Sequence, residues 1–324
     1  MTVAKPLLYV SRLLPDPVMA IIHHRFSLVQ EPLDVTPAAS TIRDGLRQAQ
    51  AAIVMLTDRI DAQVLDEAVR LKIIANYAVG YNNIDLVAAK RHGVIVTNTP
   101  DVLTDSTADL AWALLLGTAR RIVEGDRLVR SGRWTGWTPT QLLGTAVAGK
   151  TLGIIGMGRI GQAVARRAVG FEMKVLYHAR HPVESTSVPA RWEYRTLRAL
   201  LNEADFVSIH VPLNTDTRHL IGRKELGEMR RHAMLINTAR GPIVDEAALA
   251  EALRNGTIAG AGLDVFEQEP ALQPDLTSLP NVLLLPHLGS ATLATRVEMG
   301  LVCLKNIEAV LDGRPAPNQV KWPA

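Results

Sequence analysis

Short apolar runs alternate along the chain with longer stretches in which apolar residues recur every three or four positions. The runs at 6–10 (PLLYV), 51–56 (AAIVML), 72–80 (KIIANYAVG) and 94–99 (VIVTNT) read as strands. Segments 17–26, 41–50, 61–71 and 84–92 between them carry helical spacing. Such alternation predicts a parallel sheet covered by helices on both faces.

A long helix is expected from 105–107, where Asp105, Ser106 and Thr107 offer capping side chains, to about 130. Positions 132–149 (GRWTGWTPTQLLGTAVAG) show no clear period, which suits a connecting loop or an arm reaching a partner subunit. A second alternating series follows. Its strands are 152–155, 174–178, 206–212, 233–239, 259–266 and 281–286, with a helix at 245–254 stopped by Asn255-Gly256.

The chain closes with an amphipathic helix over 290–311, stopped by Gly313 and Pro315. It is too long for a short hairpin partner and is expected to return to the N-terminal unit. Two domains result, one discontinuous over 1–100 plus 288–324 and one over 101–287, with ligand expected in a cleft between them.

The first turn of the second series carries the sharpest local signal. An apolar strand runs into Gly156-Met157-Gly158-Arg159-Ile160-Gly161, and a helix opens there. Dinucleotide sites need that spacing: one glycine for the tight turn, one for close approach of backbone to pyrophosphate, one for packing helix on strand. The phosphates would sit at a helix N-terminus, where free N–H groups and the dipole favour anions. Gly156, Gly158, Arg159, Ile160 and Gly161 are the expected contacts.

Composition narrows the class. A chain of 324 residues with 48% hydrophobic and 21% charged residues can bury two cores, and a net charge of +3 without basic runs gives no footprint for nucleic acid. The N-terminus lacks a signal-peptide core, and the apolar stretch 110–119 is too short to span a bilayer, so a cytoplasmic setting without membrane contact is expected. The single cysteine, Cys303, lies in an apolar helical pattern and reads as a buried, inert thiol. His23, His24, His92, His210, His219 and His232 are scattered without metal-ligand spacing, so no metal is expected.

Several motifs in order resemble one family, the D-isomer-specific 2-hydroxyacid dehydrogenases: VGYNNID at 79–85, GMGRIG at 156–161, INTARGPIVDE at 236–246, GLDVFEQEP at 262–270 and PHLGSAT at 286–292. Within it the chain looks most like the bacterial glyoxylate/hydroxypyruvate reductases that also reduce 2-ketogluconate. The resemblance implies an α/β fold of two doubly wound parallel-sheet domains, a Rossmann cofactor domain and a flavodoxin-like substrate domain. It also implies a catalytic trio of Arg240, Glu269 and His287.

The residue types suit reduction of a 2-keto acid. Arg240 can pair with the carboxylate through its planar fork and polarise the carbonyl, and His287 can give the proton. Glu269 would orient the imidazole and favour its charged form. By the same resemblance Val79 and Gly80 bind the substrate carboxylate through backbone N–H groups, Trp137 reaches a neighbouring subunit's site in a homodimer, and Thr107, Pro212, Ala239 and Asp264 line the cofactor. The substrate pocket is expected to include Met55, Leu56 and Thr57.

The fingerprint normally has an acid about 20 residues on that grips the adenosine ribose, whereas an arginine there accommodates a 2′-phosphate. The strand here runs KVLYHARHP, with no acid between Met173 and Val183 and with Ala179, Arg180 and His181 at the expected position. NADPH is therefore expected over NADH, with use of NADH left open. The leading expectation is an enzyme reducing glyoxylate, hydroxypyruvate or 2-ketogluconate to the D-hydroxy acid. D-lactate or phosphoglycerate dehydrogenases share the motifs, and a corepressor-like cofactor sensor is the competing class, against which stands the lack of an added docking segment.

Overall fold

The computed structural model describes residues 5–183 and 192–322, so the opening MTVA used in reading the N-terminus lies outside it. The chain divides into two compact units, one of residues 1–103 with 290–324 and one of residues 104–289.

The first unit holds a parallel sheet of β1 (Leu7–Val10), β2 (Ser27–Leu28), β3 (Ala51–Val54), β4 (Ile73–Asn76) and β5 (Ile95–Thr97), ordered β2-β1-β3-β4-β5. That is the flavodoxin-like order. β2 was not foreseen: two residues at a sheet edge carry too little apolar pattern to announce a strand. Asp61 and Asp85 cap their helices by accepting the Val64 and Ala88 N–H groups. The helix Leu293–Leu311, capped by Thr292, packs on β4, and Gly300 meets Val18 so closely that a Cβ would overlap it.

The second unit is a seven-stranded parallel sheet of β6 (Thr151–Ile155), β7 (Lys174–His178), β8 (Trp192–Tyr194), β9 (Phe206–Ile209), β10 (Met234–Asn237), β11 (Gly260–Leu263) and β12 (Val282–Leu284). Its order is β12-β11-β10-β9-β6-β7-β8. The chain runs outward from β6 to β8 and then back through β9 to β12, so the topological switch falls between β6 and β9. Strands β9, β10 and β11 are buried throughout, as both-face coverage requires. One core packs Leu200, Leu235, Leu249 and Leu263 on one face, and another packs Trp112, Leu115, Val164 and Ile236 on the other. Sequence pattern gave six strands here. The seventh, β8, is a three-residue edge strand of WEY whose polar centre hides it.

The single long helix expected from 105 to about 130 is two helices, Thr104–Ala119 and Ile122–Arg130. The break has a tertiary cause. The Ala119 carbonyl accepts the Thr145 N–H at 2.8 Å, Gly144 lies against Ala119 and Arg120, and Arg121 takes a left-handed φ of 53°. Arg121 then pairs through two nitrogens with Glu124, at 2.9 and 2.7 Å. None of Ile122–Arg130 is buried within the chain, and positions 132–149 form no helix or strand.

Phe206 is fully buried on β9 at the centre of the second sheet. Phe206→Ala is expected to cost about 3–5 kcal/mol, read as a lower urea midpoint.

Candidate functional site

In a parallel sheet every strand ends at the same edge, so residues distant in sequence meet there. Gly156 follows β6, Ala179 and Arg180 follow β7, Pro212 follows β9, Ala239 and Arg240 follow β10, Asp264 follows β11, and His287 comes shortly after β12. These candidates of the second unit thus share one edge of one sheet, whereas Thr107 lies on helix Thr104–Ala119 and Trp137 in the segment without helix or strand.

The turn after β6 is shaped for close approach. Gly156 has φ +98°, its N–H donates to the His178 carbonyl at 2.8 Å, and a Cβ on it would stand 2.5 Å from the His210 carbonyl oxygen. A Cβ on Gly161 would stand 2.0 Å from the Gly156 carbonyl oxygen, so only glycine lets helix Arg159–Ala168 seat there. Gly158 is the N-cap, and Arg159 and Ile160 form the first turn. Arg180 and His181 are exposed at the end of the adjoining strand.

Asp264 organises the other side of the edge. Its carboxylate is 1% exposed; one oxygen accepts the Leu288 N–H at 2.6 Å and the other the Gly289 N–H at 2.8 Å. Its carbonyl accepts the His287 N–H at 3.0 Å, and Thr107 donates its hydroxyl to the Gly289 carbonyl at 3.1 Å. Four bonds therefore hold residues 287–289 where His287 takes φ +56°, a left-handed conformation uncommon for residues with a Cβ. Burial pushes the Asp264 carboxyl up to about 6, against the two N–H donors and the nearby His287.

Held in this way, His287 presents Nδ1 to a Glu269 carboxylate oxygen at 2.8 Å, with the two side chains 25% and 22% exposed. The other Glu269 oxygen accepts the Phe266 N–H at 3.0 Å, which fixes the carboxylate in its loop. Burial raises the Glu269 carboxyl, but the bond and charge of His287, the Phe266 N–H and the Arg240 charge outweigh it and hold the group below its ordinary range. Arg240 stands on the turn after β10, built by Asn237: the Asn237 amide accepts the Ala239 N–H and donates to the Arg240 carbonyl, both at 3.0 Å. Its guanidinium donates to the Ala239 carbonyl at 2.7 Å, and burial pulls it below its usual basicity while Glu269 opposes that.

The structure thus brings Arg240, Glu269 and His287 into one electrostatic cluster. Pro212 is exposed after β9, and its carbonyl accepts the Thr217 hydroxyl at 2.7 Å. Trp137 is 81% exposed and makes no hydrogen bond with the trio. Val79 and Gly80 lie in the first unit, half-buried after β4. Of the remaining histidines, His92, His219 and His232 each face an acid, Asp66, Glu267 and Asp205, at 2.6–2.7 Å. Burial drives His210 down to about 3, and Cys303 is buried with its thiol pushed up. No cluster of three or more metal-ligating side chains occurs among the described residues.

Asn237 and Glu246 were missed in the sequence. Asn237 ends a buried strand before a tight turn, a position where its amide can replace backbone partners, and that is a readable signal. Glu246, nearly buried in the first turn of its helix, accepts the Glu267 N–H at 2.5 Å and so braces the loop of Glu269; nothing local distinguishes it from a solvated helix-start acid.

A glycine-lined turn at the switch point of a parallel sheet, with an arginine, a glutamate and a histidine on the same edge, defines a nucleotide-dependent dehydrogenase site. The comparisons agree. The family described as D-isomer specific 2-hydroxyacid dehydrogenase, NAD binding domain, matches residues 112–289. The chain is 47% identical over 320 residues to the glyoxylate reductase of Thermococcus litoralis, covering 98% of this chain and 97% of that one. It is 48% identical over 319 residues to the glyoxylate reductase of Korarchaeum cryptofilum, covering 98% and 96%. Among solved structures it is similar to the NADPH-dependent glyoxylate/hydroxypyruvate reductase of Sinorhizobium meliloti in complex with NADP and malonate. That match has a TM-score of 0.87 and 36% identity, covering 98% of this chain and 97% of that one. The chain belongs to the D-isomer-specific 2-hydroxyacid dehydrogenase family and is an NAD(P)-dependent dehydrogenase.

The raised Asp264 carboxyl gives a pH signature. Its folded value lies above the unfolded one, so its contribution to stability is complete below the ordinary carboxylate range and is lost as pH rises through about 6. Urea unfolding of wild type and Asp264→Asn at pH 4 and pH 7 should show the variant gaining on wild type by roughly 1–3 kcal/mol at the higher pH. A constant difference would contradict a carboxyl raised by burial.

Proposed function

We propose that the protein reduces a small 2-keto acid to the D-2-hydroxy acid with NADPH, with glyoxylate and hydroxypyruvate as its principal substrates and 2-ketogluconate as a further one. The observation that carries this reading is the half-buried cluster of His287 on Glu269 beside Arg240, on the same sheet edge as the Gly156–Gly161 turn. The glyoxylate reductases among its relatives and the NADP-bound reductase among similar structures support it.

Gly158, the N-cap of helix Arg159–Ala168, has nothing within 4 Å of where a Cβ would stand, so the backbone there is open to a dinucleotide pyrophosphate and the residues present fit the cofactor. Bound there, the nicotinamide supplies the hydride. Arg240 pairs with the substrate carboxylate and draws electron density from the carbonyl oxygen. As the carbonyl carbon is reduced, its C=O π pair becomes an alkoxide pair and takes the proton that His287 holds on its Nε2. Glu269, bonded to Nδ1, leaves Nε2 as the nitrogen free to give that proton. Thr107, Pro212, Ala239 and Asp264 line the cofactor side.

Arg180 and His181 face the adenosine 2′-phosphate in this reading, since no acid stands there to repel it. The first unit is the substrate domain, with Val79 and Gly80 holding the carboxylate. The protein works as a homodimer in the cytoplasm. Exposed Ile122, Val129, Trp134, Trp137 and Leu143 concentrate apolar surface on one stretch of chain, which supports the dimer, and Trp137 reaches the neighbouring active site. No helix among the described residues is long and apolar enough to cross a membrane.

Purified protein should consume NADPH with glyoxylate, and His287→Gln should lose about 10²–10⁴-fold in kcat. Arg180→Asp should lower the NADPH over NADH ratio of kcat/KM at least about tenfold through loss of charge-assisted bonds. Tight cofactor binding without turnover over a panel of 2-keto acids would overturn the enzyme reading. Gel filtration showing monomer alone at micromolar concentration would remove the dimer and the role of Trp137.

A further inference from the structure

Three consecutive carbonyls in the loop after β4 are pinned from within the first unit. The Ala78 carbonyl accepts the Thr99 N–H at 2.9 Å, the Val79 carbonyl accepts the Asn98 side-chain amide at 2.8 Å, and the Gly80 carbonyl accepts the Asn76 side-chain amide at 2.7 Å. Asn76 is 0% exposed, and its own oxygen accepts the Asn83 amide at 3.3 Å, so its nitrogen is committed to Gly80. The Asn83 amide also donates to the Met55 and Asp58 carbonyls, both at 3.1 Å, tying the loop after β3 into the same set.

Asn98 is held with equal care. Its backbone N–H donates to the Asn318 carbonyl at 3.3 Å, and Asn318 exchanges two bonds with buried Asn306, at 3.0 and 2.8 Å. The C-terminal segment thereby fixes the residue that clamps Val79. With every carbonyl of 78–80 turned toward a donor, the Val79 and Gly80 N–H groups are left, and neither meets an acceptor among the described residues. Half-buried N–H groups with no acceptor in the protein stay open to an outside acceptor, so a loop built this way is preorganised for an anion.

We infer that Asn76 and Asn98 are positioning residues that build the carboxylate-binding cradle of Val79 and Gly80 by holding the carbonyls away from it. The inference rests on the reading that this cradle binds the substrate carboxylate. It assigns substrate affinity to two amides that touch no substrate and places the C-terminal segment, through Asn318, in support of the site. The expected signature separates binding of the carboxylate from binding of the cofactor and from folding.

The test uses the full-length protein with NADPH. Asn98→Ala should raise KM for glyoxylate and the inhibition constant of oxalate, a dead-end carboxylate, together by about tenfold, the value of one anchoring bond. The NADPH dissociation constant should stay within about twofold, since the clamp lies outside the Gly156 turn. Asn98→Ser, which keeps a shorter donor, should recover part of the loss and serves if the alanine chain does not fold. Unchanged KM and oxalate inhibition in a folded Asn98 variant, or a parallel loss of cofactor binding, would overturn the inference. Val79→Pro removes the N–H itself: a raised KM there with none in Asn98→Ala leaves the cradle standing and discards the clamp, whereas no change in either discards the cradle.

Discussion

The carboxylate of Asp264 is buried at the carboxyl end of β11, and its ionisation is opposed by that burial. It is satisfied by the Leu288 and Gly289 N–H groups, and the satisfaction fixes more than a turn. His287 lies in a left-handed conformation that is uncommon for residues with a Cβ, and these bonds hold it there. Without them the imidazole would not be held on Glu269, whose carboxylate would keep only the Phe266 N–H and the Arg240 charge.

The same device recurs on both sheets. Asn76 ends β4 and Asn237 ends β10, each buried, each bonded to the backbone of the turn that follows. A strand end is the stiffest point from which to hold a loop, because the ladder on both sides fixes its position. Arg240 accordingly sits three residues past Asn237, and the Val79 and Gly80 N–H groups three and four residues past Asn76. This explains how loops, the most mobile parts of such folds, carry chemistry that needs fixed geometry.

Much of the architecture was legible in the pattern of apolar runs, because central strands of a parallel sheet must be apolar on both faces. β2 and β8 escaped since edge strands of two and three residues need no such pattern. The break at Arg121 escaped because the helical spacing continues across it, and its cause, the Thr145 N–H on Ala119, lies in a segment without periodicity. The glycines after β6 could be read from spacing alone. Arg240, Glu269 and His287 could not: strand order brings them together, and only their motifs pointed to them. The amides of Asn76 and Asn98 were invisible for another reason, since an asparagine beside a turn reads as turn chemistry whatever it clamps.

In the proposed reading the Glu269 carboxylate, bonded to Nδ1, orients the His287 ring so that Nε2 can deliver the proton. The most direct measurement is kcat and KM for keto-acid reduction in wild type, Glu269→Gln and Glu269→Ala. Glutamine keeps an amide oxygen that can accept from Nδ1, so its kcat should stay well above that of Glu269→Ala, where kcat should fall by about 10²-fold at an unchanged NADPH dissociation constant. Equal kcat in wild type and Glu269→Ala would contradict the orienting role and would reduce Glu269 to a support for its loop.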